Sequence, residues 1–271
     1  MDRIAACIGS GTDNRLARIL QVAGRAALEA GAIVRGLYGK PHQIRHKGVI
    51  DLVTEADLAS EKAILESVGR EFPEIAVMAE ESSSDYSPTM AGEAWVIDPL
   101  DGTTNFAHGF PFFGVSIGYV VDGSPLVGMI YCPIQDELFC ACHGQGAWLN
   151  GSPIRVSTAT VLQQALVSTG FPYDVHGTLP QVIATLQRVL PKVQDVRRAG
   201  AAALDLAYVA CGRLDGFWEM NLKPWDTAAG AVLVQEAGGR LTDFRGEAFS
   251  PFRPQVVASN GPLHAQLVAL M

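Results

Sequence analysis

The amino-acid sequence predicts an α+β fold for its first half and an α/β fold for its second half. Two observations support this. From Phe112 to Val156 the pattern is β-rich and carries two-residue turn signals at Asp122-Gly123 and Asn150-Gly151. After about Leu162 short apolar runs alternate with helical patterns, which is typical of strands connected by helices. The 271 residues are enough to bury a large core without help from a metal or a disulfide.

The first half begins with two helical patterns. One runs from about Asp13 to Val34, with apolar residues at helical spacing, and the other follows Asp57 and stops at Pro73. Two short apolar strands come next, at residues 75–78 and 94–97. The first runs into Glu80-Glu81 and the second into Asp98, so two neighbouring strands both end in acids.

The second half contains a regular series of elements. We expect strands at 165–169, 192–196, 214–219, 240–242 and 256–258, and helices at about 179–190, 201–211 and 227–237. A boundary near residue 155 gives a half at 1–155 that carries most of the acids and a half at 156–271 that completes the site. Because no Pro/Ser-rich linker marks it, we expect the halves to pack tightly as one unit.

Composition excludes several classes of function. Twenty Lys+Arg against 28 Asp+Glu give a net charge of −8, the wrong sign for direct nucleic-acid binding. No apolar run reaches the ~20 residues of a membrane span. The five cysteines are odd in number and form no C-x-x-C pair, so we expect buried thiols and a reducing, cytoplasmic location.

The acids after the two strands have the pattern of a cation site. Asp98 and Asp101 flank Pro99-Leu100, where the Leu100 carbonyl adds another oxygen, and Glu80 reaches the same point if its strand lies alongside. Such all-oxygen ligands suit Mg²⁺, Mn²⁺ or Ca²⁺. The alternatives are a turn whose Asp side chains cap their own backbone and a solvated Glu pair.

Two further acids precede apolar helices. Asp57 lies in Asp51-Leu-Val-Thr-Glu-Ala-Asp57, and Asp226 lies in Trp225-Asp226-Thr227. The default interpretation of each is a helix N-cap. The Trp and the small residues around Asp226 also indicate a tightly packed site.

Taken together, these motifs resemble the inositol monophosphatase family. The resemblance is carried in order by Asp51–Asp57, Ala79-Glu80-Glu81-Ser82, the run W-V-I-D-P-L-D-G-T-T-N at 95–105, and Gly200 through Trp225-Asp226 to Gly239. Members are magnesium-dependent, lithium-sensitive sugar-phosphate phosphatases related to fructose-1,6-bisphosphatase. The resemblance implies a layered αβαβα sandwich, a homodimer and a small phosphomonoester substrate.

The resemblance also implies roles for individual residues. Glu80, Asp98 and the Leu100 carbonyl would hold one Mg²⁺; Asp98, Asp101 and Asp226 would share a second, and a third would use Glu80. Thr103 and Asp57 would orient and deprotonate the attacking water, with Glu80 also counted as catalytic. Asp101, Gly102, Thr103 and Asp226 would contact the substrate, the phosphate being met by the backbone N–H groups of Gly102 and Thr103.

The alcohol part of the substrate would meet Gly200, Ala201, Ala202 and Glu219. Glu219 can accept hydrogen bonds from two ring hydroxyls, which favours myo-inositol monophosphate. Ala201 stands where relatives usually carry Ser or Thr, which weakens the case for strict inositol specificity. Histidinol phosphate and nucleotide 3′-phosphates stay open as substrates, because enzymes of the same fold that act on them can share the metal motifs. A regulatory binding protein associated with RNA polymerase or ribosome synthesis is the alternative from another class.

Overall fold

The computed structural model describes residues 2–8, 13–41, 45–46, 52–83 and 91–271. Its helices are α1 (Asp2–Ala5), α2 (Asn14–Leu37), α3 (Glu55–Glu71), α4 (Thr103–Ala107), α5 (Val175–Val189), α6 (Ala202–Ala210), α7 (Pro224–Glu236) and α8 (Gly261–Val268). Short 3₁₀ turns lie at Leu162–Gln164 and Leu190–Lys192. Asp51, at the start of one motif, lies outside the described residues.

Within the described residues, the strands form two large sheets and one small ribbon. They are β1 (Arg45–His46), β2 (Leu52–Val53), β3 (Ala76–Ala79), β4 (Glu93–Asp101), β5 (Gly114–Val121), β6 (Ser124–Cys132), β7 (Glu137–Cys142), β8 (Gly146–Leu149), β9 (Ser152–Ile154), β10 (Leu166–Thr169), β11 (Asp195–Arg197), β12 (Gly216–Met220), β13 (Gly239–Thr242) and β14 (Gln255–Asn260). The larger sheet has the order β3-β4-β5-β6-β7-β8-β9, and the smaller has the order β11-β10-β12-β14-β13.

The chain stacks these elements in five layers. One core packs α2 and α3 against one face of the larger sheet, a second packs α6 and α7 between the two sheets, and a third packs α5 and α8 on the outer face of the smaller sheet. This αβαβα order confirms the predicted layered fold. The strands of the larger sheet end at 154 and those of the smaller sheet begin at 166; the division at 155 itself stays a prediction.

Turn chemistry sets the register of the larger sheet. Asp122 and Gly123 between β5 and β6, and Asn150 and Gly151 between β8 and β9, all have positive φ. This is the conformation that the two-residue turns of tight hairpins require, and Asn, Asp and Gly adopt it most readily. The two turn signals in the sequence therefore indicated the hairpins correctly.

Several elements differ from the sequence-based expectations. The smaller sheet is mixed, because β10 pairs in parallel with β11 and β12 whereas β14 runs antiparallel to β12 and β13. The helix expected at 179–190 begins four residues earlier, and α8 was not predicted. No helix among the described residues is both long and apolar enough to cross a membrane.

The expectation of free thiols throughout is wrong for two cysteines. Cys7, just after α1, forms a disulfide with Cys140 of β7, across 133 residues of sequence. Cys132, Cys142 and Cys211 are free. Sequence spacing could not reveal the pair, because it depends on α1 reaching the larger sheet.

Candidate active site

Two acids meet at one edge of the larger sheet because β3 and β4 run in parallel. Their register aligns Ala79 with Ile97, and the pairing continues one residue further, where the Glu80 N–H donates to the Ile97 carbonyl at 3.1 Å. Glu80 and Asp98 therefore follow equivalent strand positions. Both line the same cavity.

A β-bulge directs the next acid to the same place. The register between β4 and β5 shifts between Asp98 and Asp101, so Pro99 and Leu100 occupy the irregular segment. The Leu100 N–H donates to Asp98 Oδ1 at 3.0 Å, and the Ser60 hydroxyl of α3 donates to the Pro99 carbonyl at 2.6 Å. The irregular segment is thus held by its own acid and by the neighbouring helix.

Asp101 lies at the N-terminus of α6. Its Oδ2 accepts the Ala203 N–H at 2.7 Å, which places the carboxylate at the positive end of the helix dipole. The Asn105 amide donates to the Ala199 carbonyl at 2.9 Å and to the Phe112 carbonyl at 2.6 Å. These contacts join the turn after β4 to the segment that leads into α6.

Asp226 is in the first turn of α7 and is not its N-cap, which corrects the sequence-based interpretation. The helix begins at Pro224 with Lys223 as N-cap, and Asp226 Oδ2 accepts the Lys223 N–H at 2.7 Å. The sequence pattern predicts a helix that starts at 227, which is three residues too late, because Pro224 occupies the first helical position. The Trp225 carbonyl also accepts a hydrogen bond from the Ser116 hydroxyl of β5 at 3.3 Å.

Asp57 is likewise the third residue of its helix. Thr54 is the N-cap of α3, and Asp57 Oδ2 accepts both the Thr54 N–H at 2.8 Å and the Thr54 hydroxyl at 2.7 Å. The other oxygen, Oδ1, accepts the Thr103 hydroxyl at 2.8 Å. The capping box thus fixes one oxygen of Asp57 and directs the other to Thr103.

These residues surround one cavity of about 540 Å³. Residues predicted for the site that line it are Glu80, Asp98, Leu100, Asp101, Gly102, Thr103, Gly200, Ala201, Ala202, Glu219 and Asp226. Asp57 is fully buried behind Thr103. The structure therefore brings the predicted residues together around one space between the two sheets.

Three aspartates of this cavity have pKa values above the ordinary Asp value. Burial raises the pKa of Asp98, and the negative charges of Glu80, Asp101 and Asp226 raise it further. Burial raises the pKa of Asp101 to about 7, although the N–H groups of α6 oppose the shift. Burial and the charges of Glu80 and Asp101 also raise the pKa of Asp226. Bringing these anions together costs free energy that a cation would relieve.

The donor set fits a hard divalent cation. Asp98, Asp101 and Asp226 each have one oxygen held by a backbone N–H, and each lines the cavity. Carboxylates and a carbonyl are the ligands that Mg²⁺ prefers. Within the described parts of the chain, no three His, Cys, Asp or Glu side chains form a ready metal cage.

The opposite wall of the cavity comes from the smaller sheet and its loops. Glu219 near the end of β12 is buried, and Gly200 has a positive φ of 86° before α6. The Arg198 guanidinium lies 5.1 Å from the centroid of the Phe171 ring, and both residues line the cavity. This wall thus combines a carboxylate, a guanidinium and an aromatic ring.

Sequence reasoning missed three supporting residues: Ser60, Glu61 and Asn105. Glu61 Oε2 accepts the Glu81 N–H at 2.9 Å, so α3 holds the backbone directly after Glu80. Ser60 and Glu61 lie three and four residues after Asp57, on the same face of α3. That spacing of polar residues on an otherwise buried face was the available signal.

The chain is similar to known proteins over almost its whole length. The family model described as inositol monophosphatase family matches residues 15–271. The chain belongs to the inositol monophosphatase family. It is 45% identical over 249 residues to the inositol-1-monophosphatase of a Synechocystis species, covering 92% of this chain and 86% of that protein. Members hydrolyse phosphomonoesters, so the protein is a phosphatase of this metal-dependent family.

Two further relatives match over a similar share of the chain. The Nus factor SuhB of Escherichia coli K12 is 41% identical over 255 residues, 93% of this chain and 95% of that one. The crystal structure of the extragenic suppressor protein suhB from Bartonella henselae superposes with a TM-score of 0.87 at 41% identity. It covers 93% of this chain and 98% of that chain.

Proposed function

We propose that the protein hydrolyses myo-inositol monophosphate to inositol and phosphate with the help of Mg²⁺. The observation that carries the proposal is the hydrogen bond from Thr103, which lines the cavity together with Glu80, Asp98, Asp101 and Asp226, to Asp57 behind it. A pair that can take a proton from water then lies next to a set of oxygens that can hold a cation. Phosphoester hydrolysis needs both.

The cation would be held by Glu80, Asp98, the Leu100 carbonyl, Asp101 and Asp226. Bound there, Mg²⁺ would neutralise the carboxylates and act as a Lewis acid toward a phosphate oxygen. Two or three ions are proposed, with Mn²⁺ as a substitute, and inhibition by Li⁺ belongs to the same proposal.

The chain itself positions the attacking water. Because the Thr103 hydroxyl donates its proton to Asp57 Oδ1, its lone pairs are free to accept a proton from water. Thr54 holds Asp57 in place, so the pair needs no rearrangement. Gly102, at φ 88°, is the N-cap of α4 and Thr103 is its first residue; both would offer backbone N–H groups to the phosphate.

Glu219 would recognise the alcohol. Its carboxylate can accept two hydroxyl donors, and the backbone at Gly200, Ala201 and Ala202 completes that wall. Ala201 presents a methyl group and no hydroxyl. The name of the Synechocystis relative supports inositol phosphate as the substrate.

Phosphate release from a panel of substrates tests the proposal. We expect the fastest Mg²⁺-dependent release from myo-inositol 1-phosphate, with slower release from histidinol phosphate and a nucleoside 3′-phosphate, and loss of activity on adding Li⁺. Asp98→Asn should remove activity, whereas Glu66→Gln on the exposed face of α3 should not. Brisk turnover of histidinol phosphate without turnover of inositol phosphate would replace the proposed substrate.

A second function is favoured by the name of the Escherichia coli relative, Nus factor SuhB. A regulatory role in transcription would use the surface of the protein and not its cavity. Asp98→Asn separates the two roles: if the variant loses phosphatase activity but still supports the cellular phenotype of the gene, the binding role is the physiological one.

A homodimer and a cytoplasmic location complete the proposal. One chain has a mass of 28.8 kDa, and sedimentation velocity should give twice that mass. Cell fractionation tests the location. The redox state of Cys7 and Cys140 in the same fractions is an independent check, because a reducing cytoplasm favours two thiols whereas the structure has a disulfide.

A further inference from the structure

Glu219 differs from the other acids of the cavity in how it is held. Asp98, Asp101 and Asp226 each accept a backbone N–H, but no hydrogen bond from the described residues reaches the Glu219 carboxylate. Burial raises its pKa, as do the charges of Asp226 and Asp205, whereas Arg198 lowers it. The position of this carboxylate therefore depends on the packing around it and not on hydrogen bonds from the described part of the chain.

Gly170 determines the position of the Glu219 carboxylate, because it has no side chain that would occupy the same space. It follows β10, which is the parallel neighbour of β12, and Thr169 is aligned with Trp218. A Cβ atom on Gly170 would lie 2.0 Å from Glu219 Oε2 and 2.2 Å from Oε1. The carboxylate thus occupies the volume that the side chain of any other residue would fill.

Substitution of Gly170 would move the carboxylate and leave the backbone in place. Its φ is not in the left-handed region, so alanine suits the backbone. The three nearest atoms all belong to the end of the Glu219 side chain, which can rotate away. By contrast, a Cβ on Gly128 would lie 2.2 Å from the backbone carbonyl oxygen of Ala229.

We propose that Gly170 is the positioning residue for alcohol recognition: it seats the Glu219 carboxylate against bare backbone and so determines the preference for polyol phosphates. This inference rests on the proposed function, in which Glu219 accepts the hydroxyls of the substrate. The three atoms nearest to a Cβ on Gly170 all belong to Glu219 and none to the Asp57–Thr103 pair. Phosphate chemistry and alcohol recognition are thereby separated in the cavity.

Kinetics of Gly170→Ala on two substrates test this inference. For inositol 1-phosphate we expect kcat/KM to fall at least about tenfold, mainly through KM, since a charge-assisted hydrogen bond is lost. For phenyl phosphate, which has no hydroxyls on its leaving group, we expect less than about a twofold change. Gly177→Ala in α5, where a Cβ would meet nothing within 4 Å, is the matched control.

A second substitution provides the rescue. Glu219→Asp shortens the side chain by one methylene and makes room for the methyl group introduced by Gly170→Ala, so the double variant should recover part of the selectivity that the single variant loses. Equal losses on both substrates, or no loss on either, would overturn the inference. If the wild-type protein releases no phosphate, the proposed function fails, and a crystal structure of Gly170→Ala decides separately: an undisplaced Glu219 carboxylate refutes the positioning role.

Discussion

Magnesium binding to the acidic cavity should weaken about tenfold when the pH is lowered from 8 to 6. The change follows from Asp101, whose pKa burial raises to about 7. A cation and a proton compete for the same carboxylate, so protonation must be reversed before the ion binds. Raised pKa values at Asp98 and Asp226 act in the same direction.

The magnitude comes from the occupancy of one proton. With a pKa of about 7, Asp101 carries a proton in about nine-tenths of molecules at pH 6 and in about one-tenth at pH 8. Affinity for Mg²⁺ scales with the deprotonated fraction, which gives the tenfold ratio. Each further carboxylate that titrates in this range would steepen the dependence.

Isothermal titration calorimetry with Mg²⁺ at pH 6, 7 and 8 measures the effect, and buffers of different ionisation enthalpy count the protons released. Asp101→Asn should bind Mg²⁺ more weakly and lose the part of the pH dependence that comes from its own proton, whereas Glu66→Gln on the surface should retain the affinity and the full pH dependence. Equal affinity at pH 6 and pH 8 with no proton release would refute the reasoning.

Without metal, the protein should become less stable as the pH rises, whereas its affinity for Mg²⁺ increases. Between the ordinary Asp value of 3.8 and about 7, folded Asp101 binds more protons than the unfolded chain does. The free energy of unfolding therefore falls as the pH rises through this window, by about 1.4 kcal/mol per pH unit for one proton. Thermal unfolding in EDTA should show a lower Tm at pH 7 than at pH 5, and Mg²⁺ should restore the Tm at pH 7. A Tm that rises over this range in EDTA would contradict the shift.

Three further predictions concern the water pair, the packing of α7 and the disulfide. Thr103→Ala should lower kcat by about 10²-fold or more because Asp57 loses its link to the water, whereas Thr103→Ser keeps the hydroxyl and should retain most activity; equal rates for the two variants would contradict the role. Gly128→Ala should destabilise the protein by about 1–3 kcal/mol because its Cβ would overlap the Ala229 carbonyl, whereas Gly69→Ala in α3, with open space around it, should stabilise by about 0.5–1 kcal/mol; denaturant unfolding measures both, and unchanged stability of Gly128→Ala would refute the contact. Thiol labelling of unfolded, unreduced protein should count three cysteines and, after reduction, five; five without reduction would exclude the disulfide.

Local signals in the sequence predicted much of the fold. The turns at Asp122-Gly123 and Asn150-Gly151 were identified because the residue types themselves favour positive φ. The strands before Glu80 and Asp98 were found from short apolar runs. Such features depend on neighbours along the chain, so they are visible without the tertiary structure.

The remaining features depend on contacts between distant residues. Asp57 and Asp226 were placed at the wrong helix positions because the caps are Thr54 and Lys223, and each acid accepts the N–H of its cap from the third helical position. The link from Asp57 to Thr103 spans 46 residues, and resemblance to a family, not spacing, pointed to it. Nothing local distinguishes Gly170 from a turn glycine, since its importance arises only when β12 lies beside β10.

The position of Asp226 shows how packing between layers assembles the site. A Cβ on Gly118 would lie 3.0 Å from the Ala228 Cβ, and one on Gly128 would overlap the Ala229 carbonyl, so α7 can approach β5 and β6 only because both positions are glycine. Asp226 lies two residues before Ala228 in α7. The close approach of α7 to the sheet therefore brings Asp226 near Glu80 and Asp98. The acidic cavity is therefore a product of small residues in the sheet as much as of the acids themselves. Larger side chains at 118 or 128 should separate Asp226 from Asp98 and weaken Mg²⁺ binding even where every carboxylate is retained.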